Sequence, residues 1–200
     1  MNYFAIFLVF IFSFSSNKDW QLKKEKEGVQ IFVRSVEGSS FLEFKAITVI
    51  KNSTVPEVLD VLLDVENYDH LYDDCINPKV LKRNGKYYDI HYIQNKGPFA
   101  VKDRDGVYEQ IAELSSDEKY AAIHLKAMPD YIAENDDIVR IRKGIGFWEL
   151  TETESNDVMV IYQFHGEPGG DIPAFLANKF VVSHPFNTIN NLRILLKGSK

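Results

Sequence analysis

The sequence predicts an α+β domain in which a strongly curved antiparallel sheet grips one long C-terminal helix. Three observations carry this prediction. First, Pro168-Gly169-Gly170 breaks the strand before it, Asp171 stands where an N-cap belongs, and Pro173 falls in the first turn, where a missing N–H costs nothing. Second, Ile172, Phe175, Leu176, Phe180, Phe186, Ile189, Leu192 and Leu196 recur mostly three and four residues apart, which makes one broad apolar helix face. Third, the strand-like runs between Pro78 and His165 follow one another with only short turns, implying a meander rather than βαβ units. A long amphipathic helix that closes a chain of strands covers a sheet. Its periodicity does not say whether a packed core or a cavity lies beneath. Pro185 is expected to kink that helix or split it, because it removes a backbone hydrogen bond in mid-pattern.

Taken in order, Asp19 to Glu27 is short, charged and helix-compatible, with Trp20 and Leu22 as its apolar anchors and Gly28 as its end. Val29 to Val36 and Phe41 to Ile50 are β-branched and aromatic runs joined by Glu37-Gly38-Ser39-Ser40, the pattern of a hairpin. Ser53 or Thr54 then caps a helix with Pro56 in its first turn, and Val55, Val58, Leu59, Leu62 and Leu63 keep helical spacing. Tyr68, Leu71 and Tyr72 continue a looser helical piece. After Pro78 come strands at Lys79–Lys82, Tyr87–Gln94, Val101–Leu114 with a bulge expected at Gly106, Lys119–Met128, Ile138–Thr151 and Asp157–His165.

Two hundred residues suit one domain able to bury a core. A hydrophobic share of 45% with 26% charged residues is that of a soluble globular protein. The formal net charge of −6 argues against a nucleic-acid partner, which would call for a basic face, and against stable docking to an anionic membrane. Cys75 is the single cysteine, so no internal disulfide forms, and it reads as a small buried hydrophobe. From Tyr3 to Phe12 every residue is apolar, and no charge precedes Lys18. The run is too short to span a bilayer comfortably, and Ser13, Ser15 and Ser16 offer small residues for cleavage, so residues 1–16 read as a secretory signal peptide and the chain as exported. An uncleaved anchor or an apolar first strand is the alternative.

Three segments in this order resemble a START (StAR-related lipid-transfer) domain of the helix-grip superfamily. Lys96 to Gln110, KGPFAVKDRDGVYEQ, resembles the family's loop and strand with a Pro–aromatic pair ahead of an Arg-Asp pair. Val139 to Leu150, VRIRKGIGFWEL, resembles the strand with its Gly and Trp. Tyr162 to Asn178, YQFHGEPGGDIPAFLAN, resembles the last strand, the Pro-Gly-Gly break and the start of the lid helix. The resemblance runs from about Trp20 to the C-terminus, so residues 17–200 are expected to form one START-like domain. It implies a non-enzymatic monomer without cofactor, holding a lipid or other apolar molecule in an internal tunnel and touching membranes transiently. It also implies the ligand-binding positions: a polar pair at His91 and Gln110 with Tyr108 beside them, Phe99 in the loop, and Phe175, Asn178 and Phe180 on the lid helix. The acid–arginine pair known in some members is missing there, which leads to the expectation of a neutral head group, such as that of a sterol, fatty alcohol or acylglycerol.

Motifs for other chemistry are absent. The histidines at 70, 91, 124, 165 and 184 and the lone cysteine form no zinc spacing, and no G-x-S-x-G elbow or phosphate-cradling Gly loop occurs. Asp103-Arg104-Asp105 is charge-dense, but adjacent strand positions point to opposite faces, so it reads as a structural ion pair fixing a loop. Arg140 and Arg142 alternate with apolar residues and read as a solvated face; Trp148 reads as core. His91 is either a solvent-facing edge residue or a cavity residue. Three function classes stay open: a carrier or sensor of an apolar molecule, a cyclase- or hydrolase-like enzyme using cavity His and Asp as acid and base, and a protein-interaction domain with a filled core. Asn95 to Val101 and the start of the last helix are expected to form the cavity's mouth.

Overall fold

The computed structural model describes residues 19–97, 101–170 and 172–198. The expected signal segment, the cap at Asp171 and the ligand position Phe99 lie outside the described residues. The strands are β1 (Gln21–Lys26), β2 (Val29–Ser35), β3 (Leu42–Ile50), β4 (Cys75–Arg83), β5 (Tyr88–Asn95), β6 (Arg104–Leu114), β7 (Tyr120–Ala127), β8 (Val139–Arg140), β9 (Lys143–Glu152) and β10 (Val158–Glu167). The helices are α1 (Val55–Leu63), α2 (Tyr68–Leu71) and α3 (Ala174–Gly198). The strands form one curved sheet in the order β1-β2-β3-β10-β9-β7-β6-β5-β4, antiparallel along that path, while β8 pairs with β6 in parallel. The first three strands join the rest of the sheet where β3 pairs with β10, from Ile50 opposite Val158 to Phe44 opposite Phe164. The expected architecture, a curved antiparallel sheet gripping a C-terminal helix, is the one observed.

Local chemistry accounts for most of the elements. Thr54, not Ser53, caps α1 in a reciprocal capping box: Glu57 Oε2 accepts from Thr54 N at 2.8 Å and Thr54 Oγ1 accepts from Glu57 N at 3.4 Å. The helix buries Val55, Val58, Leu59, Leu62 and Leu63 on one side. Trp148 is core, its ring stacked on that of Tyr162 at 3.8 Å between centroids. Cys75 is buried, and its thiol pKa is pushed up to about 12, chiefly by that burial and then by the charge of Asp69.

Four expectations need correction. Asp19 to Glu27 holds strand β1, because Glu27 and Gly28, at φ of 54° and 69°, make a tight turn with both central residues left-handed and fold the segment back onto β2. Pro78 lies inside β4; the strand tolerates it because it is an edge strand with a register shift between Ile76 and Lys79. Gly106 makes no bulge, since β5 and β6 keep register through Ile93 opposite Gly106. Ile138 to Thr151 is two strands, not one, as β8 turns aside to pair with β6. Of the two outcomes expected at Pro185, a kink or a split, the split does not occur, since α3 runs through it as one helix of 25 residues.

The last helix covers two different things. Its C-terminal half buries Phe186, Ile189, Leu192 and Leu196 in the core against the sheet and α1. Its N-terminal half, from Ala174 to Val182, contains no fully buried residue. The packed core therefore ends partway along the helix, and a cavity begins.

Candidate functional site: two adjoining chambers under the C-terminal helix

Between the N-terminal half of α3 and the concave face of the sheet lie an outer chamber of about 270 Å³ and an inner one of about 160 Å³. Asn95, Tyr108, Ile141, Phe164 and His184 line both, so the two adjoin. Small-molecule sites occupy roughly 300–1,000 Å³, and the chambers together reach the lower part of that range.

The wall between them is built on glycine. A Cβ on Gly106 would meet the Tyr108 ring at 2.5 Å, and one on Gly146 would meet the Phe164 ring at 2.5 Å. Gly144 lies under both rings and Gly166 under that of Phe164. Glycines on β6, β9 and β10 thus let two aromatic rings lie flat along the sheet where side chains would otherwise push them out. On the helix side His184 stacks on Tyr72 at 5.9 Å between centroids. Burial holds the His184 imidazole below its usual pKa, against the opposing pull of Asp74 and Asp73.

The inner chamber carries a buried polar chain. His91 Nδ1 lies 2.7 Å from Asp89 Oδ1, Gln110 Nε2 donates to Asp89 Oδ2 at 3.0 Å, and the Tyr68 hydroxyl lies 2.9 Å from Gln110 Oε1. That hydroxyl also sits 2.8 Å from the Leu62 carbonyl, and burial raises its pKa well above the ordinary value. Nδ1 of His91 faces the Asp89 carboxylate, and the tautomer that donates there leaves Nε2 as the acceptor. His91 is 2% exposed and lines the inner chamber, which removes the solvent-facing alternative. Gln110, 1% exposed, has its amide engaged at both ends and borders neither chamber. The two are not opposite one another: His91 faces Tyr108 across the strands and Gln110 faces Asp89.

The remaining expected positions divide. Tyr108 lines both chambers and its phenol pKa is raised by burial, then by Asp105. Asn178 lines the outer chamber and latches α3 to the sheet, accepting from Leu42 N at 3.0 Å and donating to the Ser40 carbonyl at 3.3 Å. Phe180 lines the outer chamber while 47% exposed. Phe175 is 69% exposed and lies on the opposite face of α3, with Lys179 Nζ 5.9 Å from its ring centre. Of the expected mouth, Asn95 and Ile172 border the outer chamber, and residues 98–100 lie outside the described part.

The charged residues around β6 are arranged differently from the expected loop ion pair. Asp105 and Arg140 form a bidentate pair at 2.8 and 3.0 Å behind the sheet, both buried, and Arg140 also donates to the carbonyls of Pro129, Ile132 and Ala133. Arg140 is therefore not part of a solvated face, because the segment 129–133 folds over it; Arg142 is exposed, as expected. Asp103 accepts from Gln94 Nε2 at 2.7 Å and from Gly97 N at 2.9 Å. Arg104 faces the other way and lines the outer chamber. An arginine thus lines the cavity, at a position other than His91 and Gln110, where the acid–arginine pair of some members is missing. Strand period two, the signal that joins Tyr108 to Gln110, already placed Arg104 on their face.

Residues 52–193 match the family of polyketide cyclases/dehydrases and lipid transport proteins. An uncharacterized protein of Pseudomonas aeruginosa is 36% identical over 177 residues, covering 88% of this chain and 86% of that protein. The crystal structure of a STAR-related lipid transfer protein from Xanthomonas axonopodis superposes with a TM-score of 0.81 at 36% identity, covering 89% of this chain and 98% of that one. The phosphatidylcholine transfer protein of Mus musculus is 24% identical over 163 residues, 80% of this chain and 75% of that protein. With these matches spanning the sheet, the chambers and the gripping helix, the chain belongs to the polyketide cyclase/dehydrase and lipid transport family, as a START domain of the helix-grip superfamily.

Proposed function

We propose that the domain takes up one lipid or similarly apolar molecule in the two chambers and acts as its carrier rather than as a catalyst. The observation that carries this reading is the change along α3, whose C-terminal half is packed on core while its N-terminal half lies over cavity walled by Leu176, Val181, Phe41, Phe44 and Phe164. A protein-interaction domain with a filled core would have no use for that space, since interiors otherwise pack to crystal-like density. The names of the Xanthomonas and mouse relatives, both lipid transfer proteins, support the same reading. The test is organic extraction of purified protein followed by mass spectrometry, then transfer of a labelled form of the recovered lipid between two vesicle populations. A stoichiometric lipid with accelerated transfer is expected. A stoichiometric lipid without transfer would make the domain a sensor, and a protein that neither retains nor takes up any lipid would defeat the reading.

A catalytic reading has its own observation, the buried Asp89–His91 pair whose imidazole lines the inner chamber. Such a pair is able to move a proton at Nε2. If wild-type protein returns the extracted ligand chemically altered and His91→Gln returns it intact, the catalyst replaces the carrier.

A further inference from the structure

We propose that Arg104 is an anion anchor in the outer chamber, and that the bound amphiphile carries an oxyanion head group, a phosphate or a carboxylate. This rests on the lipid-binding reading above and specifies its ligand class. Four observations support it. The side chain projects from the cavity face of β6 and is 8% exposed. Its Nε is buried with no hydrogen-bond partner, while Nη1 donates to the Lys102 carbonyl. Among the described residues no carboxylate forms an ion pair with it: Asp105 is bound by Arg140, and Asp103 is bound by Gln94 and the Gly97 amide. Finally, the corner between β10 and α3 comes close without a side chain. Gly170, at φ of 61°, would place a Cβ 3.6 Å from Arg104 Nη2.

The physical case is one of incomplete satisfaction. Guanidinium stays protonated at any ordinary pH and presents five donors in a fixed planar fork, so it cannot escape burial by losing its charge. Burial lowers its pKa, with the charge of Asp103 acting in the opposite direction. A buried ion is stable where a counter-charge and hydrogen bonds satisfy it, and among the described residues the protein supplies one carbonyl. Nε with its neighbouring nitrogen is the edge that carboxylates and phosphates engage in bidentate fashion. Asp74 and Glu167 also line the chamber; Glu167 is held by Lys143 at 3.1 Å. The rest of the wall is apolar or amide apart from the Tyr108 phenol and the His184 imidazole, which leaves Arg104 as the one guanidinium or ammonium group among the described residues lining this chamber.

The experiment measures displacement of the neutral fluorophore N-phenyl-1-naphthylamine from the full chain by three ligands of equal length: dodecanol, dodecanoate and dodecyl phosphate. Wild type is expected to prefer at least one anion over the alcohol tenfold or more, and whichever anion wins names the head group. In Arg104→Met that preference ratio should fall to about one, and in Arg104→Lys, which keeps charge but loses the fork, it should lie between. Equal affinities for all three ligands in wild type, or an unchanged ratio in Arg104→Met, would overturn the anchor while leaving the lipid-binding reading intact. Failure of all three ligands and of the fluorophore itself to bind would overturn both. Should Arg104→Met not fold, the wild-type ratio and Arg104→Lys decide the matter.

Discussion

At the scale of single residues, strand alternation assigns opposite duties to neighbours. Asp103 and Asp105 work behind the sheet and Arg104 works in front of it. Asp105 and Arg140 are a buried bidentate pair, and removing one member leaves the other as an uncompensated charge. Arg140→Leu should therefore cost about 3–5 kcal/mol, read as a lower midpoint in urea unfolding. Lysine at the same position should recover only part of it, since a point charge cannot reproduce the fork or reach the three carbonyls now bonded to the arginine. Arg104 was legible in the sequence by parity alone. Arg140 was not, because its burial comes from segment 129–133 folding over it, and no local pattern in the strand encodes a distant loop.

At the scale of elements, the glycines of β6, β9 and β10 matter as absences of side chain. Gly106→Ala should force the Tyr108 ring off the sheet and into the chambers, costing about 1–3 kcal/mol of stability as overpacking does and weakening ligand uptake. Thermal unfolding and probe displacement on the same variant would show whether both effects occur together. The last helix carries a pH dependence of its own. His184 has a native pKa below its ordinary 6.5, so the unfolded chain takes up a proton that the native protein refuses. Its contribution to stability is present above 6.5 and is lost as pH falls from there through the lower native value. Wild type should accordingly lose stability relative to His184→Gln over that interval, and chemical denaturation at a series of pH values would check it; a constant difference between the two proteins would refute it.

At the scale of the whole molecule, one helix serves both as core and as lid. The C-terminal half of α3 is tied down by Asn191 and Asn187 to Asp73 and by Arg193 to the Glu27 carbonyl and Thr48, besides its buried apolar face. Among the described residues, the side-chain hydrogen bonds from the N-terminal half to the sheet come from Asn178. Native-state hydrogen exchange should therefore find amides from Phe186 to Leu196 protected nearly to the global unfolding free energy, and those from Ala174 to Val182 opening far more easily. Addition of a lipid that binds should slow the second group and leave the first unchanged. The sequence by itself determined the class of fold, the meander, the capped first helix and the gripping helix, because these follow from periodicity, breakers and caps, which act over a few residues. Only the tertiary structure decided that β3 and β10 join the N-terminal strands to the rest of the sheet, that Gln110 is satisfied by Asp89 and Tyr68, that Phe175 faces away and that Arg104 lines a chamber with its Nε unbonded and no carboxylate ion pair among the described residues. Those outcomes depend on which groups from distant segments reach one another once the sheet has curved, and the partner that satisfies or neglects a side chain is not written beside it in the chain.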